Sequence, residues 1–144
     1  MSAIANGLGT QRPIVVGLLR SAVVALTLTT AWIHSTLGGP LFTLNAIGYS
    51  VLAVAMVAPG AIARSRWLVR LALLGFVSMT IGGWIAFGAR FDLAYIDKGI
   101  EAILVAVLFI ELWLEDGGPI AVARRIGGLL QDALTTVGSA GRAH

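Results

Sequence analysis

Three carboxylates, Asp97, Glu101 and Glu111, lie inside one hydrophobic stretch, residues 94–114, and Glu115 follows directly. At about 100° per residue in a helix, the four fall within about ±40° of one line and share a face. Ionised groups at membrane depth are costly unless they face protein or water, which directs this face into a bundle. A second polar line runs through the first hydrophobic stretch, where Arg20, Thr27, Ala31 and His34 lie within about ±40° of one direction. Arg20 and His34 are 14 residues apart, as are Asp97 and Glu111, and Glu101 and Glu115. Two antiparallel helices can therefore match these lines in two registers. Either Arg20 meets Glu111 while His34 meets Asp97, or Arg20 meets Glu115 while His34 meets Glu101.

The two ends of these lines suggest different chemistry. At one end Arg20 and Arg70, facing Glu111 and Glu115, are expected to form structural ion pairs that set helix register. At the other end His34, Asn45, Tyr49, Asp97 and Glu101 form the candidate polar or proton site, with Lys98 tuning it and Ser35, Trp84 and Asp92 nearby in sequence position. Asn45 and Tyr49 are spaced i, i+4 and share a helix face. A histidine beside carboxylates has the parts of a proton relay or a polar solute site, because an imidazole can change protonation near neutral pH. The plainer alternative is a hydrogen-bonded cap that orders the loops at this end.

No cofactor or metal is assigned from the sequence, although a His34, Asp97 and Glu101 trio has donor types that suit a divalent metal. Haem held by two histidines needs more than one chain offers, since His34 is accompanied only by His144. A two-fold dimer juxtaposing two His34 side chains is the route left open. Cysteine is absent, which excludes disulfides, thiolate metal sites and thiol redox chemistry. No GxSxG elbow, HExxH, Walker loop or dinucleotide-binding fingerprint occurs, so the chain is not expected to be an enzyme.

The elements that must position these groups follow from composition. Of 144 residues, 58% are hydrophobic and 12% charged, against roughly 25% charged in a soluble domain. Four apolar stretches, about 21–39, 41–59, 71–89 and 94–114, can each supply the ~20 residues of a membrane span. Gly38-Gly39-Pro40, the Pro59-Gly60 region and residues 90–92 allow only short connections. The expectation is an all-α integral membrane protein: a single membrane domain, 1–144, folded as an antiparallel bundle of four transmembrane helices. The first run reads as a membrane helix rather than a signal peptide, because it is long and no small-x-small cleavage site follows. Residues 1–12 show no periodicity and are expected as a mobile tail.

Pro119 stands where a helix can start, and Val122, Ile126, Leu129, Leu130, Ala133 and Val137 then align opposite Arg124 and Arg125. This predicts a C-terminal amphipathic helix, about 119–137, lying on the membrane interface. Gly75, Ser78, Gly82 and Ala86 form a stripe of small residues on the third segment, expected to pack within the chain or, alternatively, to form a homodimer face.

The net charge of +3 does not point to nucleic acid, because Arg12, Arg20, Arg64, Arg66, Arg70, Arg124, Arg125 and Arg142 are spread over the N-terminal region, the second connection and the C-terminal region. By the positive-inside rule both termini are cytoplasmic, and the short loops suit a bacterial or archaeal plasma membrane. The leading functional expectation is a non-catalytic subunit or accessory protein, in the lipid bilayer as a homo-oligomer or part of a larger complex. The alternatives are a small proton-linked transporter or channel using the His34 end, and a haem-binding or redox protein through His34. No family-diagnostic motif is present. In outline the chain resembles small bacterial four-helix membrane proteins such as the DoxX-like and small multidrug-resistance groups. The latter carry an acidic residue in the first membrane helix, where this chain has Arg20 and His34, so no site residue carries over.

Overall fold

The computed structural model describes residues 2–140, with side chains from 12 to 135, and among these the chain is all-helical. α1 (Ser2–Leu37) and α2 (Pro40–Val57) form an antiparallel hairpin. Gly38 and Gly39 turn the chain at φ 70 and 87, a left-handed region that costs glycine nothing, and Pro40 then begins α2 with its φ already helical. A one-turn α3 (Ala61–Arg64) leads into α4 (Arg66–Phe87), and α5 (Asp92–Asp116) returns. Gly117 closes α5 in the left-handed conformation at φ 79, and α6 (Pro119–Ala140) starts on Pro119.

α1 packs on α2 and α5, and α4 packs on the same two helices, so the four long helices close a ring; α6 rests on α5. Val23, Tyr49, Met56, Leu73, Val77, Leu104 and Leu108 fill its centre. The outward surface is largely apolar, with Leu28, Leu44, Val54, Met79, Ile103, Ile110 and Trp113 exposed. Water would not stabilise that surface, whereas lipid tails would. Among the described residues, three stretches are long and apolar enough to cross a membrane: Arg12–Leu37, Pro40–Val57 and Arg66–Phe87. α5 is as long but carries Asp97, Lys98, Glu101 and Glu111, so composition alone does not place it with them.

Several expectations are corrected. The first helix begins at Ser2 rather than near residue 21, so residues 2–12 continue it instead of forming a tail. Pro13 removes one intrahelical hydrogen bond without ending the helix. The third long helix starts at Arg66 rather than 71, and the last reaches Ala140 rather than 137. Hydropathy marks where side chains stop being apolar; backbone hydrogen bonding continues past that point.

The small-residue stripe is the larger correction. Gly75, Ser78, Gly82 and Ala86 are all exposed, and a Cβ added at Gly75 or Gly82 would meet nothing within 4 Å. They do not pack within the chain, because α4 turns Arg70, Leu73 and Val77 inward instead. A close glycine contact between two long helices is instead on α2, where a Cβ at Gly48 would sit 2.6 Å from Phe76 Cζ of α4.

Candidate functional site

The polar lines of α1 and α5 meet, giving the ring an arginine end and a histidine end. At the arginine end, Arg20 Nε donates to Glu111 Oε1 at 3.2 Å and Arg20 Nη2 to Glu115 Oε2 at 3.0 Å. Glu111 and Glu115 lie on consecutive turns of one face, so a single guanidinium fork spans both. Arg70 of α4 reaches the same two oxygens, at 3.2 and 3.1 Å, and donates through Nη1 to Asp116 Oδ2 at 2.6 Å. Arg125 of α6 stands 3.6 Å from Asp116 Oδ1. Glu111 is fully buried and Arg70 almost so, so this network fixes α1, α4 and α5 in one register. Asp116 lies off the acidic stripe, and its participation follows from the reach of Arg70 rather than from helical periodicity.

At the histidine end His34, Tyr49, Asp97 and Glu101 are all buried. His34 Nδ1 donates to the Thr30 carbonyl one turn earlier at 2.9 Å and stands 3.7 Å from Asp97 Oδ1. Asp97 Oδ1 accepts no hydrogen bond. Glu101 is better supplied: Tyr49 donates to Oε1 at 2.7 Å, Thr80 lies 3.0 Å from the same oxygen, and Lys98 Nζ binds Oε2 at 2.6 Å. The Lys98 ammonium also lies 3.0 Å from Asp97 Oδ2. One ammonium thus serves two carboxylates.

The ring of Tyr49 is held edge-on by Phe76, with centroids 4.8 Å apart, and lies 5.5 Å from the His34 ring. A cleft of ≈ 470 Å³ opens between the ends of α1, α2, α4 and α5. His34, Asn45, Thr80, Asp97 and Lys98 form its polar wall, and Phe42, Met79, Trp84 and Phe91 much of its apolar one. This size and this mixture of apolar walls with a few convergent polar groups are those of a small-ligand site. A shallow groove of ≈ 520 Å³ between α1 and α2 contains no charged group and offers no comparable chemistry.

The structure therefore gathers His34, Asn45, Asp97 and Lys98 around one cleft, with Tyr49 and Glu101 joined to it through Lys98 and Thr80. Ser35 does not belong: it is exposed and bonds the Trp32 carbonyl. Asp92 is exposed at the first turn of α5, and His144 lies outside the described residues. Trp84 lines the cleft, donates to the Ala89 carbonyl at 3.1 Å and carries Arg90 over its ring at 3.9 Å. Thr30, Phe42 and Thr80 were not singled out by sequence. Thr80 had a signal, since it follows Leu73 and Val77 at helical spacing and is a lone hydroxyl in that buried row. His34 is only 3% exposed and lies in the wall of this cleft.

No protein-family profile matches this chain, and neither a curated protein nor a solved structure is significantly similar to it.

Proposed function

We propose that this chain is a non-catalytic membrane protein of the transporter or channel class, whose histidine end binds a cationic solute. The observation that carries the reading is the charge imbalance: buried Asp97 and Glu101 share one Lys98 ammonium beside an open cleft. A cation entering there gains two carboxylates that are already desolvated. On this reading α5 is a fourth span. Support comes from its faces, since Asp97, Glu101 and Glu111 are buried inside the ring while Ile96, Ile103, Phe109, Ile110 and Trp113 are exposed around it.

The arginine end then faces the cytoplasm of a bacterial or archaeal cell, with both termini on that side, and the cleft opens outward. α6 lies along the inner leaflet: Ile120, Leu129, Leu130 and Leu134 are exposed and available to lipid, while Arg124 and Arg125 meet anionic headgroups. The cysteine-free chain makes topology directly testable. Ser65→Cys should resist, and Ala89→Cys accept, a membrane-impermeant maleimide added to intact cells; the reverse pattern would invert the orientation. For function, vesicles containing the protein should take up at least one of Co²⁺, K⁺ or tetramethylammonium. Asp97→Asn and Glu101→Gln should abolish that uptake per molecule of folded protein. Uptake unchanged in both variants would refute the cation site.

A second reading, an accessory subunit or homo-oligomer, is favoured by the open space over Gly75 and Gly82 on exposed α4, where another helix backbone could approach closely. Replacing both glycines with leucine should then disrupt association while leaving the chain folded.

A further inference from the structure

We propose that His34, Asp97 and Glu101 form a site for one divalent transition-metal ion, with Lys98 as the resident cation that the metal displaces. The inference rests on the cation-site reading above and names its solute. One donor atom from each of the three side chains lies within 4.8 Å of the other two, and all three residues are buried. α1 supplies the imidazole and α5 two carboxylates one turn apart. The register that joins Arg20 to Glu111 therefore also sets the spacing of the donors.

The unpartnered Asp97 Oδ1 is a separate indication. It is buried, accepts no hydrogen bond and stands 3.7 Å from the imidazole. A carboxylate oxygen in that condition carries a desolvation cost that a bound cation would remove. His34 is also held as a ligand would be. Its Nδ1–H is anchored on the Thr30 carbonyl at 2.9 Å, the kind of backbone bond that orients a ligating imidazole while Nε2 keeps its lone pair.

Bonds of about 2.0–2.2 Å to a common ion place donors no more than about 4 Å apart, so the trio must close by roughly 1 Å. Displacing Lys98 allows this, because its ammonium now sits between Asp97 Oδ2 and Glu101 Oε2. Lys98 lines the cleft, into which a four-carbon stem can swing its charge. One nitrogen and two carboxylate oxygens suit Mn²⁺, Fe²⁺, Co²⁺ or Zn²⁺ better than Ca²⁺ or Mg²⁺, which favour all-oxygen sites, or Cu⁺, which favours sulfur. Two carboxylates also neutralise a doubly charged ion, whereas Lys98 neutralises only one of them.

The test is a titration of the full chain in detergent, stripped with chelator, using Co²⁺ read by its d–d absorption and Zn²⁺ as competitor. One equivalent should bind. His34→Ala, Asp97→Asn and Glu101→Gln should each weaken binding by at least about tenfold. Lys98→Gln should tighten binding by about tenfold or more, since it removes a competing unit charge; loss of folding cannot produce that sign. Binding that survives all three ligand substitutions, or weakens in Lys98→Gln, overturns the proposal. If Co²⁺, Zn²⁺ and Mn²⁺ all fail to bind while K⁺ or tetramethylammonium raises the thermal midpoint of wild type but not of Asp97→Asn, the metal inference falls and the cation-site reading stands. If no cation binds, both fall.

Discussion

The two polar ends of the ring use the same residue classes on the same helices and arrive at opposite electrostatics. At the arginine end three guanidiniums, of Arg20, Arg70 and Arg125, oppose three carboxylates, of Glu111, Glu115 and Asp116. At the histidine end one ammonium opposes two carboxylates. The arginine end is not saturated, since Arg70 Nε and Glu111 Oε2 are buried without hydrogen bonds. Each of its carboxylates nonetheless has a guanidinium from another helix, and Arg66 adds a further positive charge near Arg20 and Arg70. A planar, permanently charged fork bound to two carboxylates is a clamp; a lysine at the edge of a cleft is a replaceable counter-ion. Several guanidiniums shared among the carboxylates make one end structural, and a single shared lysine leaves the other able to accept a ligand.

Removing a clamp partner should have the largest effect. Glu111→Gln leaves Arg20 and Arg70 without their shared buried carboxylate and should cost about 3–5 kcal/mol, read as a lowered unfolding midpoint in detergent. Co²⁺ affinity measured on the remaining folded protein should not change. If it falls as it does for Asp97→Asn, the two ends are coupled and the contrast between them breaks down.

Tyr49→Phe should come next. It removes the hydroxyl donor of Glu101 and should destabilise by about 1.5–3 kcal/mol, the range for a hydrogen bond to a charged group. The contrast would sharpen if added Co²⁺ restored part of that loss, because a metal on Glu101 would take the place of the lost donor. Packing offers a comparison of similar size within the same ring. Gly48→Ala should cost about 1–3 kcal/mol by forcing Phe76 aside, whereas Gly82→Ala meets open space and should be neutral or stabilising by up to about 1 kcal/mol. Equal effects at the two glycines would show that α4 does not face outward as described.

The smallest effect is expected at the rim of the clamp. Arg125 is half exposed and its contact with Asp116 is 3.6 Å, so Arg125→Ala should change stability by less than about 0.5–1 kcal/mol. A larger loss in a thermal melt would mean that α6 is part of the clamp rather than resting on it.

The sequence by itself determined the helical class, the long apolar segments, and the two polar lines whose matched spacing allows α1 and α5 to pair. That much is legible because helical periodicity converts residue number directly into direction and height. It left two registers open, and the structure takes the first, Arg20 with Glu111 and His34 near Asp97, with Arg20 reaching Glu115 as well. It also left open where Lys98 reaches, which hydroxyls serve Glu101, that Asp116 joins the clamp, and that the small residues of α4 face outward. Those outcomes depend on how far a long side chain extends and on which face of a neighbouring helix is opposite. Neither is a property of one helix, and both are fixed only when four helices close into a ring.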